Sequence, residues 1–446
     1  MREMKDSGVE WIGKIPSEWD IIRMKSCIKS RDGGAWGDEK QNDKNDVICL
    51  RIADFDYAAF KFADNKDLTV RNYAPEVKKR LILHKGDILI EKSGGGEKTP
   101  VGRAVIFDKE YEALFANFME RLCVSYNVDP KFFLYILITF YSNNYVWNYI
   151  KQTTGIQNLD IKNMLSSEIV PLPNITTQRQ IICYLDSKCS KIDEIIAKQE
   201  QIIEKLKEYK LSVITEAVTK GLNTDVEMKE SGVDWTSEIP ETWSSTKLDK
   251  CFSTDKGFAF KADKFKANGI PVVRVSEIKE GTVLKPEMHV EKIEPEYEKV
   301  ILHAGDILMT TVGSHPRVVN SAVGQLARLP IELDGALLNQ NAVCLRNRDG
   351  INKDYIYYFL LIKRYREHLN LIAHGTANQY SISLSEVLDF YAVLPGYNEQ
   401  VEIADYLNEK CSNIEKIIAN RKAVISKLQE YKKSLIYEVV TGKKEV

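Results

Sequence analysis

The chain is written twice. Met4 to Trp11 (Met-Lys-Asp-Ser-Gly-Val-Glu-Trp) returns as Met228 to Trp235 (Met-Lys-Glu-Ser-Gly-Val-Asp-Trp). Ile15-Pro16, followed by Trp19, returns as Ile239-Pro240, followed by Trp243. Leu50-Arg51-Ile52 faces Val273-Arg274-Val275, and the run Leu83 to Leu89 around Gly86-Asp87 faces Leu302 to Leu308 around Gly305-Asp306. Gln178 to Thr219 aligns without gaps with Gln400 to Thr441, and 22 of those 42 pairs are identical. Such a repeat limits the folds available: whatever one half becomes, the other becomes too, related to it by an approximate two-fold.

Identity is uneven. The opening motif and the final segment match closely, whereas the middles have diverged outside the Gly-Asp-Ile-Leu run. A shared framework that meets one repeated partner, with two middles that read different things, accounts for this pattern. A duplication kept only for folding would erode exposed helix positions as fast as loops.

The final segment predicts a long helix. Gln178 to about Val218 holds no Pro and no Gly, and Gly221 and Gly442 supply stop signals. Pro171 and Pro173 precede the first copy and Pro395 and Gly396 the second; Thr177 and Asn398 are the expected caps. Ile192, Ile195, Ile202, Leu206, Tyr209 and Val213 alternate by three and four, with Gln199 in one slot. The matching set is Ile414, Ile417, Val424, Leu428, Tyr431 and Leu435, with Arg421 in that slot. Such a seam pairs helices knobs-into-holes. Ile196, Ile203, Ile418 and Ile425 widen the stripe beyond a bare two-stranded seam and leave surface for a third partner. Roughly 40 residues at ~1.5 Å each reach ~60 Å. The expected architecture is α/β (α+β): two similar globular domains separated by two long antiparallel coiled-coil helices. The expected bounds are 1–170 and 223–392 for the domains, 171–222 and 393–446 for the helices. Two helices buried separately, each in its own half, is the alternative.

Each middle predicts a Gly-Asp turn entering a strand, then a polar loop: Lys92 to Thr99 in one, Val312 to Arg317 in the other. The first loop is a near miss to a phosphate loop, because Glu97 stands where Gly must precede Lys, and the second copy has nothing comparable. Small and polar residues at a strand end suit a DNA groove, where glycine lets backbone approach and basic side chains meet phosphates or guanine edges. The candidate contacts are Lys92, Ser93, Gly95, Lys98 and Arg103 in the first copy and Thr311, Ser314, His315, Arg317 and Gln325 in the second. Asn117 and Asn339 share the offset of 222, and Gln340 follows the latter; amides can pair adenine. Gln157 and Asn378, in a later polar turn, complete the set. Trp11, Trp19, Trp235 and Trp243 read as packing anchors, and His84, Asp87, His303 and Asp306 as turn structure.

Composition narrows the function. Against 62 Lys and Arg stand 64 Asp and Glu, so bulk positive charge is not the means of gripping a polyanion. The eight cysteines form no Cys-x-x-Cys, and no metal site is expected. The longest apolar run, 132–141, is too short for a bilayer, and 1–6 carries no apolar leader, so a cytoplasmic chain without a membrane partner is expected. No methyltransferase, metalloprotease or serine-hydrolase motif is present. The chain is expected not to be an enzyme.

Residues 4–19, the run Val218 to Met228 leading into the second copy, and Leu-Pro ahead of Gln178 and Gln400 resemble the specificity (S) subunits of type I restriction–modification systems. The resemblance covers essentially the whole chain in order. It implies two target-recognition domains, each reading half of a split double-stranded DNA sequence, and helices that space them and dock two modification (M) methyltransferase subunits. S-adenosylmethionine, ATP and Mg would then belong to the M and restriction (R) subunits, with no cofactor in this chain. A duplicated protein-interaction scaffold that does not bind DNA is the rival reading.

Overall fold

The structure is a computed structural model, and it describes residues 2–64, 67–96, 99–153, 155–223, 225–279, 281–315, 323–376 and 379–446. The chain forms two compact units, one of residues 1–200 and 422–446, the other of residues 201–421. Two helices dominate, Ile175–Lys220 and Tyr397–Val440. Each contributes one part to each unit.

In the first unit a six-stranded sheet runs in the order Ile28–Gly33, Met119–Val124, Ile88–Glu91, Ala104–Ile106, Lys61–Phe62, Phe55–Asp56. In the second unit the order is the same: Phe252–Lys256, Ala342–Asn347, Ile307–Thr310, Leu326–Arg328, Gly281–Val283, Ile278–Lys279. Each sheet is antiparallel except where its fourth strand meets its fifth. A three-stranded sheet built on Asp46–Leu50, or on Ile270–Val273, contributes to a further core in its unit. The apolar helix Pro130–Ser142 fills the first core. Lys353–Leu360 and Lys363–Ile372 fill the second. Trp11, Trp19 and Trp243 are buried, and Trp235 stacks on Phe390 with ring centroids 5.5 Å apart.

The Gly-Asp turns are structural. Asp87 accepts from Arg121, which also reaches Asp32 at 2.7 Å, and from the Cys123 thiol at 3.2 Å. Asp306 accepts from Arg346, which also pairs with Asp255, and from the Cys344 thiol. Arg and Cys have exchanged places on the strand, two residues apart and hence on one face.

Inside each unit the two long helices pack antiparallel. In the first, Lys432 lies against Asp193 while Lys444 sits over the Tyr184 ring, so one number rises as the other falls. Ile181, Leu185, Cys189 and Ile192 share that core with Leu435, Ile436, Val439 and Val440. In the second, Lys210 pairs with Glu415 and Gly221 lies beside Glu399, and Ile214, Ala217 and Val218 join Ile403, Ala404, Leu407 and Cys411.

The buried and half-buried stripe differs from the expected seam at every second position. It runs Cys189, Ile192, Ile196, Gln199, Ile203, Leu206, Lys210, Val213, Ala217 on one helix. On the other it runs Cys411, Ile414, Ile418, Arg421, Ile425, Leu428, Lys432, Leu435, Val439. Ile195, Tyr209, Ile417 and Tyr431, expected in the seam, are 43%, 57%, 43% and 53% exposed, as are Ile202 and Val424 in lesser degree. Ile196, Ile203, Ile418 and Ile425, apolar like their neighbours, take the places of Ile195, Ile202, Ile417 and Val424; at the tyrosines the reason is the lysines. A seam written in apolar letters chooses Tyr209 and Tyr431, but Lys210 and Lys432 take those places, their stems packed and their ammonium groups paired. The caps also differ: Asn174 Oδ1 accepts the Thr177 N–H at 2.9 Å, and Asn398 lies within the first turn rather than before it.

Candidate nucleic-acid interface

Each unit carries a small three-stranded ribbon beyond its central strand. In the first, Ile88–Glu91 continues through Lys92 into Ser93–Gly94, which pairs with Ile156–Leu159, itself paired with Ile150–Thr153. The N–H groups of Lys92 and Ser93 donate to the Phe118 carbonyl at 2.8 and 3.2 Å, which ties the exposed turn Asn117-Phe118 to the ribbon. Ser93 Oγ donates to Asn158 Oδ1 at 2.6 Å. Lys92, Ser93, Asn117 and Asn158 are thereby brought to one edge.

The second unit repeats the arrangement with other chemistry. Val312–Gly313 pairs with Gln379–Ser381, and that strand with His374–Thr376. Thr311 N–H donates to the Asn341 carbonyl at 2.8 Å. Ser314 follows the ribbon strand, and the His315 ring stands edge-on to Tyr380 at 4.6 Å. Lys98, Arg317 and Asn378 lie outside the described residues.

Structural equivalence corrects one pairing. Ala116 N–H donates to Leu50 O, and Asn339 N–H to Val273 O, both at 2.9 Å. Asn339 therefore stands where Ala116 does, and the exposed Gln340 is the partner of Asn117. The offset here is 223 rather than 222.

Two expected contacts turn inward. Gln157 is fully buried, and its Oε1 accepts the Val101 N–H at 3.1 Å. Gly95 (φ +69°) passes so close that a Cβ would lie 2.5 Å from the Val101 nitrogen and 2.9 Å from Gln157 Oε1. These two shape the loop from within. Arg103 is committed as well. Its guanidinium donates to the buried Glu91 at 2.7 to 3.1 Å and lies 3.7 Å over the Tyr57 ring, while the Tyr57 hydroxyl donates to Glu91 at 2.5 Å. Burial works against the charge on Arg103, but the Glu91 bonds hold its pKa above the ordinary value. At the same place the second unit has Thr310 and Gln325, with Gln325 N–H donating to Thr310 Oγ1 at 2.9 Å.

Near this edge Glu120 is buried, and burial raises its carboxyl pKa while Arg31 and Lys92 pull it down. Arg31 Nε lies 3.3 Å from Glu120 Oε1. Lys92 thus acts on a carboxylate as well as meeting solvent.

Asn158, Phe118 and Trp36 were not among the expected residues. Asn158 follows from strand alternation, since Gln157 shares its face with neither Ile156 nor Asn158. Phe118 is half exposed in the turn. Trp36 carries the Arg71 guanidinium 4.3 Å from its ring, just after Gly34, whose missing Cβ would stand 2.2 Å from the Ala116 carbonyl.

Comparison with known proteins places this geometry. A family model described as the type I restriction modification DNA specificity domain matches residues 16–208 and again residues 240–427. The specificity subunit of the type I restriction enzyme MjaVIII of Methanocaldococcus jannaschii is 22% identical over 96% of this chain and 94% of its own length. That of EcoBI of Escherichia coli is 23% identical over 96% and 87%. A solved structure, reported for complex assembly and conformational transition of the type I R-M system, aligns with a TM-score of 0.67 at 14% identity. It covers 96% of this chain and 99% of that one, a likeness of fold. Among the described residues no helix is long and apolar enough to cross a membrane.

Proposed function

The chain belongs to the type I restriction modification DNA specificity family, and from that premise we propose that it reads a bipartite double-stranded DNA target. Residues 1–170 take one half-site and 223–392 the other. The helical segments 171–222 and 393–446 set the distance between them and dock two M subunits, to which R subunits add. The chain supplies the address in the cytoplasm; its partners supply S-adenosylmethionine-dependent methylation and ATP-driven cleavage.

One observation carries this reading: a repeated framework presents different side chains at one equivalent edge. Lys92, Ser93, Asn117 and Asn158 stand where Thr311, Val312, Gln340 and Ser381 stand in the second copy. A repeat that bound one ligand twice would keep that edge. An amide such as Asn117 or Gln340 that pairs an adenine edge contributes ~1–3 kcal/mol of discrimination. Half-sites about one turn of DNA apart, ~34 Å, suit readers that approach from one face of the duplex.

The test is a methylation map of cells that express this chain with its M subunit. A split adenine motif that appears only with the chain supports the proposal. Unchanged methylation, with the chain recovered on other proteins, supports the scaffold instead.

A further inference from the structure

Each reader is joined to its long helix by one buried glutamine. Gln178 Oε1 accepts the Asp129 N–H at 2.8 Å, and Nε2 donates to the carbonyls of Asn127 at 3.0 Å and Pro173 at 2.8 Å. Gln400 repeats the set with Asn352 N–H at 2.8 Å, Gly350 O at 3.3 Å and Pro395 O at 3.0 Å. Both side chains are buried to within a few percent.

The three partners are backbone groups with distinct jobs. Pro173 and Pro395 lie just ahead of the long helices. Asp129 and Asn352 are the N-caps of the helices that fill the two reader cores. Asn127 and Gly350 lie in the loops leading to those caps. One carboxamide therefore pins a reader helix to a long helix at three points, with one acceptor and both donors used. Of the uncharged side chains of this length, only an amide offers that combination. The bridged residues have changed between the copies, Asn127 to Gly350 and Asp129 to Asn352, yet the bonds have not. A contact through backbone is indifferent to such changes.

We propose that Gln178 and Gln400 are positioning residues that fix how each reader is held on its long helix, and through that the spacing tolerated between half-sites. The proposal rests on the bipartite reading above. It is distinct from the base contacts, since neither glutamine is at the reading edge.

The experiment uses the complete complex of this chain with its M subunits. Methyl transfer from S-adenosylmethionine is measured on duplexes that carry both half-sites at the native spacing and at one base pair more or less. Gln178→Met and Gln400→Met should each lower the preference for native spacing by roughly tenfold, the order expected from losing buried hydrogen bonds. Their preference for the correct half-site bases at native spacing should stay within about threefold, a limit near half that free energy. Ile136→Ala, a buried truncation in the first reader core, is the structural control and should lower rates without altering the spacing preference. Should Gln178→Met fail to assemble, Gln400→Met, whose bonds to Gly350 and Pro395 are the longer, is read in its place. An unchanged spacing preference in the glutamine variants, or an equal loss in Ile136→Ala, overturns the proposal. A wild-type complex with no spaced target at all overturns the bipartite reading instead.

Discussion

The two readers differ in two ways, and the ways are opposite. In the framework, change is compensated. Arg121 and Cys123 of one strand have become Cys344 and Arg346 of the other, yet an arginine still bridges the turn aspartate and a second one. Asp193 with Lys432, and Lys210 with Glu415, are the same pair at the repeat offset of 222. At the candidate DNA edge, change is outright. Lys92 has become Thr311, Ser93 has become Val312, and Asn158 has become Ser381. Compensation marks a place where groups must satisfy one another inside the chain; outright change marks a place where they answer to something outside it.

The largest expected effect tests the framework as a ruler. Removing 196–202 and 418–424 together takes one seven-residue repeat from each helix and leaves the buried stripe in register. The loss of about 10 Å should shorten the preferred spacer by roughly three base pairs, measured on a ladder of duplexes. Altered half-sequences at the old spacing would refute the ruler.

Next come the two ion pairs, alike in sequence but unlike in setting. Lys432 is buried and donates to both Asp193 oxygens and to the Ala58 carbonyl, each at 2.7 Å. Lys432→Met should cost about 2–3 kcal/mol in denaturant unfolding, short of a fully buried pair because Asp193 is partly open. Glu415 is largely exposed, so Lys210→Met should cost under about 1 kcal/mol. Equal costs would erase the distinction. The seam gives a similar contrast: Ile203→Ala should cost about 2–4 kcal/mol and Ile202→Ala no more than about 0.5 kcal/mol.

The last effect, one that depends on pH, concerns Glu120. A carboxyl whose pKa is raised by burial stabilises the fold most when protonated, and that contribution is lost as pH rises through the raised value. Glu120→Gln should therefore match the wild type in acid and become the more stable of the two as pH rises through that range, followed by thermal melting across pH. A variant that is less stable at high pH would show that Arg31 and Lys92 outweigh burial.

Much of this was legible in the sequence, and the failures have physical causes. The repeat, the two long helices and the tryptophan anchors follow from spacing and composition. The seam slips by one at alternate positions: at Ile195 and Ile202 a neighbouring isoleucine packs instead, and at Tyr209 a paired lysine occupies a core slot that a hydrophobicity pattern withholds from it. Gln157 was preferred to Asn158, although Leu159, buried two residues on, marks the inward face. Arg103 looked available because its partner Glu91 lies across a strand pair, invisible to local spacing. Asn117 was matched to Asn339 because the offset climbs from 219 at Asp87 to 222 at Arg103 and 223 at Met119, and one residue of drift separates a framework asparagine from an exposed amide.

The most direct measurement exchanges residues 20–165 for the corresponding segment of another specificity subunit and maps adenine methylation in cells that hold the matching M subunit. If each copy reads its own half-site, one half of the split motif changes while the other half keeps its bases. Should both halves change, or neither, independent reading by the two copies is contradicted.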